Sequence, residues 1–217
     1  MSLKNEISDY YSGDRREVVN LLSEVDYKNV LEIGAGDGAF VKYLNKDCSY
    51  SIVEPEDVDL LYPDRVKKVY KGLFEDVFEQ LPENYFDLVI CNDVIEHMSN
   101  HDFFFNGIKS KMSMGGRIVG SIPNVRHVGN IIEIVIKKNW RYANSGFFDR
   151  THLRFFTEKS LKSTFNEHNY TIEKFQFLNH VTCSNYLSFK CIVEKLIVIL
   201  LGNDSNYIQF GFLRSEE

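Results

Sequence analysis

The sequence predicts an α/β domain built on a mostly parallel sheet with helices on both faces. Three observations point there. From residue 30 onward, apolar runs of strand length alternate with helix-periodic stretches, the pattern of βαβ units with right-handed crossovers. The run Val30, Leu31, Ile33 stops at a glycine-rich turn, Gly34-Ala35-Gly36-Asp37-Gly38, and a helix-like pattern resumes through Phe40, Val41 and Leu44. A nearly continuous apolar stretch over residues 86–91 has the character of a strand buried at the centre of a parallel sheet.

In chain order, residues 1–14 form an N-terminal arm. Its Tyr10-Tyr11-Ser12-Gly13 segment is either a surface arm or a piece that closes over a ligand. Residues 15–25 place Val18, Val19, Leu21, Leu22 and Val25 on one side of an amphipathic helix. Strands follow over residues 30–33, 50–53 and 66–70, then the apolar stretch over 86–91, which ends at Asn92-Asp93-Val94. A helix over residues 101–113 is expected to stop at Gly115-Gly116. A fifth strand over 117–122 ends in Pro123-Asn124. Residues 126–138 are helix-like but rich in β-branched side chains, so that helix must rely on packing rather than propensity. Residues 139–146 read as irregular, and Thr157 is a good N-cap for a helix through Leu161 and Phe165. Residues 171–178 and 207–213 alternate as strands. The helix between them, about residues 189–201, is apolar over most of its surface; it lines the core or pocket, or makes a dimer contact.

Composition narrows the functional classes. A chain of 217 residues fits one domain with a single substantial core. Its net charge of −6 argues against bulk nucleic-acid binding, which needs a clustered positive face. Cys48, Cys91, Cys183 and Cys191 form no CxxC pair, and no histidine stands at metal spacing, so no metal is expected. Reduced thiols in a cytoplasmic protein are the expectation. The first twenty residues are polar and mixed in charge, unlike a signal peptide, and the longest greasy run, residues 196–201, is far short of a membrane span.

The glycine turn is a cradle for a small molecule at the carboxyl end of the first strand. The letters Gly34-x-Gly36-x-x-Ala39 also satisfy a dinucleotide fingerprint, so the glycines alone are a weak signal. Glu32 tips the balance: a pyrophosphate gains nothing from a carboxylate there, whereas an amine-bearing ligand does. Glu54 ends the second strand, where a carboxylate can accept both hydroxyls of a ribose. Glu54 thus reads as a nucleoside contact without saying which nucleoside, the alternative for each acid being a solvated strand end.

Leu31-Glu32-Ile33-Gly34-Ala35-Gly36-Asp37-Gly38, then Glu54, then residues 86–98 through Asp93-Val94-Ile95-Glu96-His97-Met98 resemble the ordered motifs of class I S-adenosylmethionine-dependent methyltransferases. Asp149-Arg150-Thr151-His152-Leu153-Arg154-Phe155-Phe156-Thr157 is similar to a signature of one branch, often found beside sugar-nucleotide and cell-surface polysaccharide enzymes. The likeness spans about residues 15–180. It implies a single Rossmann-like methyltransferase domain with seven strands, the last running antiparallel between its neighbours. It also implies S-adenosylmethionine as cofactor, with a substrate-side insertion at 125–156 and a helical insertion at 179–206. The cofactor contacts it implies are Glu32, Gly34, Ala35, Gly36, Gly38, Glu54, Pro55, Phe74, Glu75, Asn92, Asp93 and Val94. The chain departs from the pattern at Leu73, where relatives carry an acid for the adenine amino group; Glu75 or Asp76 is then the expected acceptor, with Leu73 or Phe74 flanking the adenine face.

Methyl transfer asks a protein mainly for alignment and exclusion of water, plus a base when the acceptor is a hydroxyl. His97, His127 and His152 fall near the carboxyl edge of the sheet. His97 is the candidate base and His152 the candidate acceptor-holding residue, although a lone histidine is more often structural. Residues 125–154 carry six bases against two acids, a net +4 inside a chain of −6. Arg126, Asp149, Arg150, His152 and Arg154 are therefore the candidate contacts to a small, anionic acceptor such as a sugar phosphate or nucleotide sugar, methylated on oxygen or nitrogen. The partner expectations are that small molecule, no nucleic acid, no membrane span, and a monomer or homodimer. Two alternatives stay open: a nicotinamide-dependent oxidoreductase, and a nucleoside-binding domain without catalysis.

Overall fold

The computed structural model describes residues 15–180 and 189–216. The expected N-terminal arm over residues 1–14 and Cys183 lie outside them. Seven strands form one sheet: β1 Asn29–Ile33, β2 Ser49–Glu54, β3 Val66–Lys71, β4 Phe86–Asn92, β5 Met112–Pro123, β6 Tyr170–His180 and β7 Tyr207–Glu216. Their order is β3-β2-β1-β4-β5-β7-β6. β1 to β5 run parallel, while β7 runs antiparallel between β5 and β6, as the resemblance implies. The helices are α1 Arg16–Val19, α2 Phe74–Val77, α3 His101–Lys111, α4 Val128–Ile131, α5 Glu158–Glu167 and α6 Phe189–Leu201.

Period-two alternation explains the two core layers. Leu31, Ile33, Val89, Cys91, Ile118 and Ile122 enter one layer, where Phe74, Phe104, Phe105, Ile108, Leu161 and Phe165 from α2, α3 and α5 cover them. Val30, Ile52, Leu88, Ile90 and Val119 enter the other, under Val18 of α1, Leu21, Leu22 and the Phe40-Val41 turn. The first layer is aromatic: Phe74 meets Phe104 at 5.4 Å and Phe105 meets Phe165 at 5.3 Å, both edge-on. The strand order reverses at β1, whose neighbours β2 and β4 lead outward in opposite directions. A crevice opens there at the carboxyl ends.

Several elements depart from expectation. The helix expected over 15–25 is one α turn followed by a 3-10 turn at Asn20–Leu22, because Ser23 turns extended and Glu24 is left-handed. The helix after the glycine turn is a single 3-10 stretch, Ala39–Tyr43, cut off by extended Leu44. α3 ends at Lys111 and passes straight into β5. Gly115 and Gly116 therefore lie in the strand, where the β4–β5 register slips between Phe86 and Leu88. They form a bulge and not a helix cap: a β-carbon on Gly116 would come within 2.9 Å of the Phe86 carbonyl. The β-branched run after α4 widens into a π-helical turn, Ile132–Ile136, closed by Lys137 N–H on the Ile132 carbonyl at 2.9 Å. Crowding of branched side chains disfavours tight α winding there. Thr157 caps α5 as expected, and Ser160 completes the reciprocal box.

Candidate active site

A cleft of about 1430 Å³ lies over the carboxyl ends of β1, β2, β4 and β5. All three glycines of the first turn are left-handed, with φ of +68° at Gly34, +54° at Gly36 and +71° at Gly38. A β-carbon on Gly34 would stand 2.8 Å from Val94 Cγ2, so only glycine lets the chain pass this close to the β4 end. Backbone bonds pin the turn: Gly34 N–H donates to the Val53 carbonyl at 2.9 Å, and Gly38 N–H to the Ala35 carbonyl at 2.9 Å. Gly34, Ala35 and Gly36 line the cleft, whereas Gly38 shapes the turn from outside it.

Glu54 is 2% exposed and lines the cleft beside Pro55. Gly36 N–H donates to its Oε2 at 2.7 Å, and Glu56 N–H to its Oε1 at 2.9 Å. An ionised carboxylate has about four lone-pair sites, so two remain for a ligand. Glu32 is also buried, and Tyr50 Oη donates to its Oε2. Burial pushes the Glu32 carboxyl up to about 8.

That shift has a measurable sign. A carboxyl whose folded pKa lies above its unfolded value stabilises the fold below the ordinary carboxylate range, and the contribution is lost as pH rises through about 8. The thermal midpoint of the ligand-free protein is therefore expected to fall between about pH 6 and about pH 9. Glu32→Gln, which cannot ionise, should flatten that fall. An unchanged slope in the variant would refute the assignment.

At the β4 end, Asp93 is left-handed (φ 53°) and its carboxylate is fully engaged. Arg15 Nε donates to it at 2.7 Å, Ser121 Oγ at 2.9 Å, and Gln209 Nε2 at 2.7 and 2.8 Å. Asp93 thus shapes the cleft with no acceptor capacity to spare, while its neighbour Val94 supplies an apolar wall. Asn92 also lines the cleft; its buried carboxamide interacts with Glu32 but makes no hydrogen bond of ordinary geometry among the described residues. Phe74 and exposed Leu73 form the β3 side; Glu75 stands outside the cleft.

The opposite side of the cleft is built by residues 144–152 and the turn after β4. The Glu96 carbonyl accepts from Leu153 N–H at 2.8 Å and Arg154 N–H at 3.1 Å, stitching the two segments together. His97 and His152 are thereby brought ring to ring, with centroids 4.7 Å apart. Burial, and then the neighbouring His152, pull His97 below its ordinary pKa. Burial, reinforced by the nearby charge of Asp93, holds the Glu96 carboxyl well above the carboxylate range. Asp149 is buried and accepts from both Thr151 N–H (2.8 Å) and Thr151 Oγ1–H (2.6 Å), which makes it a brace of this loop.

The basic residues separate. Arg150 lines the cleft and is exposed to it. Arg126 does not line it: its Nε donates to Asp204 at 2.6 Å and its terminal nitrogen to the Leu201 carbonyl, tying the end of α6 to the loop after β5. Arg154 also lies outside the cleft lining, with Nη1 donating to the Leu153 carbonyl at 3.1 Å. Lys137 is paired with Glu133. A charge count along the chain could not tell braces from cleft-facing cations. The sequence reading also missed Arg15, Glu96, Asn130, Asn179 and Gln209, all in the lining. Of these, only Glu96 carried a signal, its place beside His97.

A family model described as "Methyltransferase domain" matches residues 10–174. No curated protein matches the chain. Among solved structures it is similar to a SAM-dependent methyltransferase from Archaeoglobus fulgidus, at 19% identity and a TM-score of 0.66, covering 99% of this chain and 100% of that one. A SAM-dependent methyltransferase of Thermotoga maritima, described as a possible histamine N-methyltransferase, aligns at 15% identity and TM-score 0.63 over 98% and 96% of the two chains. One from Mesorhizobium loti aligns at 13% and 0.59 over 93% and 96%. At these identities the likeness speaks for the fold alone.

Proposed function

The chain belongs to the methyltransferase-domain family, and from that premise we propose that it methylates a small anionic acceptor at the expense of S-adenosylmethionine. The observation that carries the reading is the left-handed glycine turn facing Glu54, with two carboxylate lone pairs left over for a ribose. The buried Asn92 carboxamide and the apolar Leu73–Phe74 side fit the remaining polar and flat parts of such a nucleoside. Neither the nicotinamide oxidoreductase nor the silent binding domain is favoured by family membership. Bound S-adenosylmethionine supplies an electrophilic methyl group on a sulfonium centre.

The protein's own part is placement. Glu54 fixes the nucleoside end, and Glu32, which shares the Tyr50 hydroxyl, offers a carboxyl toward an amine. His97 and His152 face the acceptor side of the cleft, ring against ring. Arg150 draws in the acceptor's negative charge, with a planar fork suited to phosphate or carboxylate. Calorimetry with S-adenosylhomocysteine tests the nucleoside half of the reading; absence of binding would overturn it.

The acceptor half rests on Arg150. Arg150→Ala is expected to raise KM for a phosphorylated sugar about tenfold, the scale of one lost charge-assisted contact. Affinity for S-adenosylhomocysteine should stay constant. Arg154→Ala, outside the cleft lining, should change KM little. A neutral acceptor used equally well by wild type and Arg150→Ala, at low and high salt, would rule out an anionic substrate.

A further inference from the structure

We propose that Glu96, His97 and His152 form a divalent-metal site on the acceptor side of the cleft. One ligand atom from each lies within 4.8 Å of the other two, a spacing that side-chain torsions can close around one ion. Glu96 is the informative member. It is 2% exposed, and among the described residues neither carboxylate oxygen accepts a hydrogen bond of ordinary geometry. A buried carboxylate left without a donor of good geometry is costly. The group aimed at it is His152 Nε2, 4.0 Å from Oε1 and too far for a hydrogen bond. A cation between them satisfies both.

On both histidines Nδ1 is the nitrogen engaged by the backbone. His97 Nδ1 faces the Thr151 carbonyl at 3.2 Å and His152 Nδ1 faces the Phe147 carbonyl at 3.0 Å. A carbonyl only accepts, so each Nδ1 carries a proton and Nε2 is the ring atom left to meet an ion. Metal-ligating histidines are held in just this way by backbone carbonyls. Two imidazoles and one carboxylate suit a first-row divalent transition ion better than Mg²⁺ or Ca²⁺, which prefer all-oxygen shells. Three protein ligands leave a coordination position open toward the cleft. The sequence hid the site because its ligands come from two distant segments, not from one short motif.

An ion there takes the acceptor hydroxyl as a further ligand and lowers its pKa, so the proton passes to solvent. His97 and His152 then act as ligands, and the imidazole base of the sequence reading is not needed. This role rests on the methyl-transfer reading; the site itself does not.

The test uses the full chain, stripped with chelator and titrated with Co²⁺, followed by visible absorption and calorimetry. One equivalent is expected to bind, with affinity reduced at least tenfold in His97→Ala and in His152→Ala. Glu96→Gln, nearly isosteric, should make the metal-free protein more heat-stable than wild type and abolish the rise in Tm that Co²⁺ gives wild type. Substoichiometric binding, or equal Co²⁺ affinity and equal Tm shifts in wild type and all variants, would overturn the site. S-adenosylhomocysteine is titrated into the same stripped protein. Nucleoside binding without Co²⁺ binding sinks only the metal site; the reverse sinks only the methyl-transfer reading.

Discussion

Glu54→Ala is expected to lower affinity for S-adenosylhomocysteine about a hundredfold or more. Hydrogen bonds to a charged group contribute about 1.5–3 kcal/mol each, and about 1.4 kcal/mol is a factor of ten. Two such bonds to a ribose already account for two orders of magnitude. The loss should exceed that, because the same carboxylate accepts from Gly36 and Glu56 N–H. Removing it leaves two donors of the cradle unpaired and frees the turn. Glu54→Gln separates the contributions: its carboxamide oxygen can still accept from one of these N–H groups, so it should bind better than Glu54→Ala and worse than wild type. Calorimetric Kd values for the three proteins decide. Equal values would remove Glu54 from the ligand site.

Gly34→Val should bind no detectable S-adenosylhomocysteine and should also unfold at lower temperature. The position combines φ +68° with a β-carbon 2.8 Å from Val94 Cγ2, and valine is among the residues least tolerant of such a backbone. Strain of this kind costs on the order of 1–3 kcal/mol, which in a domain of this size lowers Tm by roughly 2–4 °C per kcal/mol. Gly115→Ala is the control. It has φ +77° but open space around the added carbon, and it lies in the β5 bulge, away from the cleft. It should show part of the stability loss and none of the binding loss. If Gly34→Val binds normally, the turn does not hold the nucleoside.

The frame of this molecule was written in local patterns. Strand runs, the glycine turn, the Thr157 cap and the alternation of the last two strands are signals that neighbouring residues carry together, so they could be read without the fold. The cleft was legible where a motif faces it from a strand end, as with Glu32, Glu54 and Asn92. It was not legible where tertiary partners decide. Arg126 and Arg150 look alike in sequence, yet one is bound to Asp204 and the other is left facing the cleft. Glu96 is held by Leu153 and Arg154 docking on its carbonyl, a contact between segments far apart in the chain. The helix ends failed for a related reason: Gly115-Gly116 has the letters of a stop signal, but the adjacent β4 edge recruits the pair as a bulge.

The carboxylate of Asp93 joins Arg15, 78 positions before it, to Gln209, 116 positions after it. A ribosome releases Arg15 long before Gln209, and β7 must then slip between β5 and β6, both already synthesised. Until it does, the floor of the cleft lacks one of its donors, and the left-handed Asp93 backbone is without part of the support that holds it. Contacts this distant in sequence are slow to form. Nascent chains that stop before Tyr207, where β7 begins, should thus possess the glycine turn yet remain deaf to the nucleoside, making ligand capture a report that β7 has been inserted.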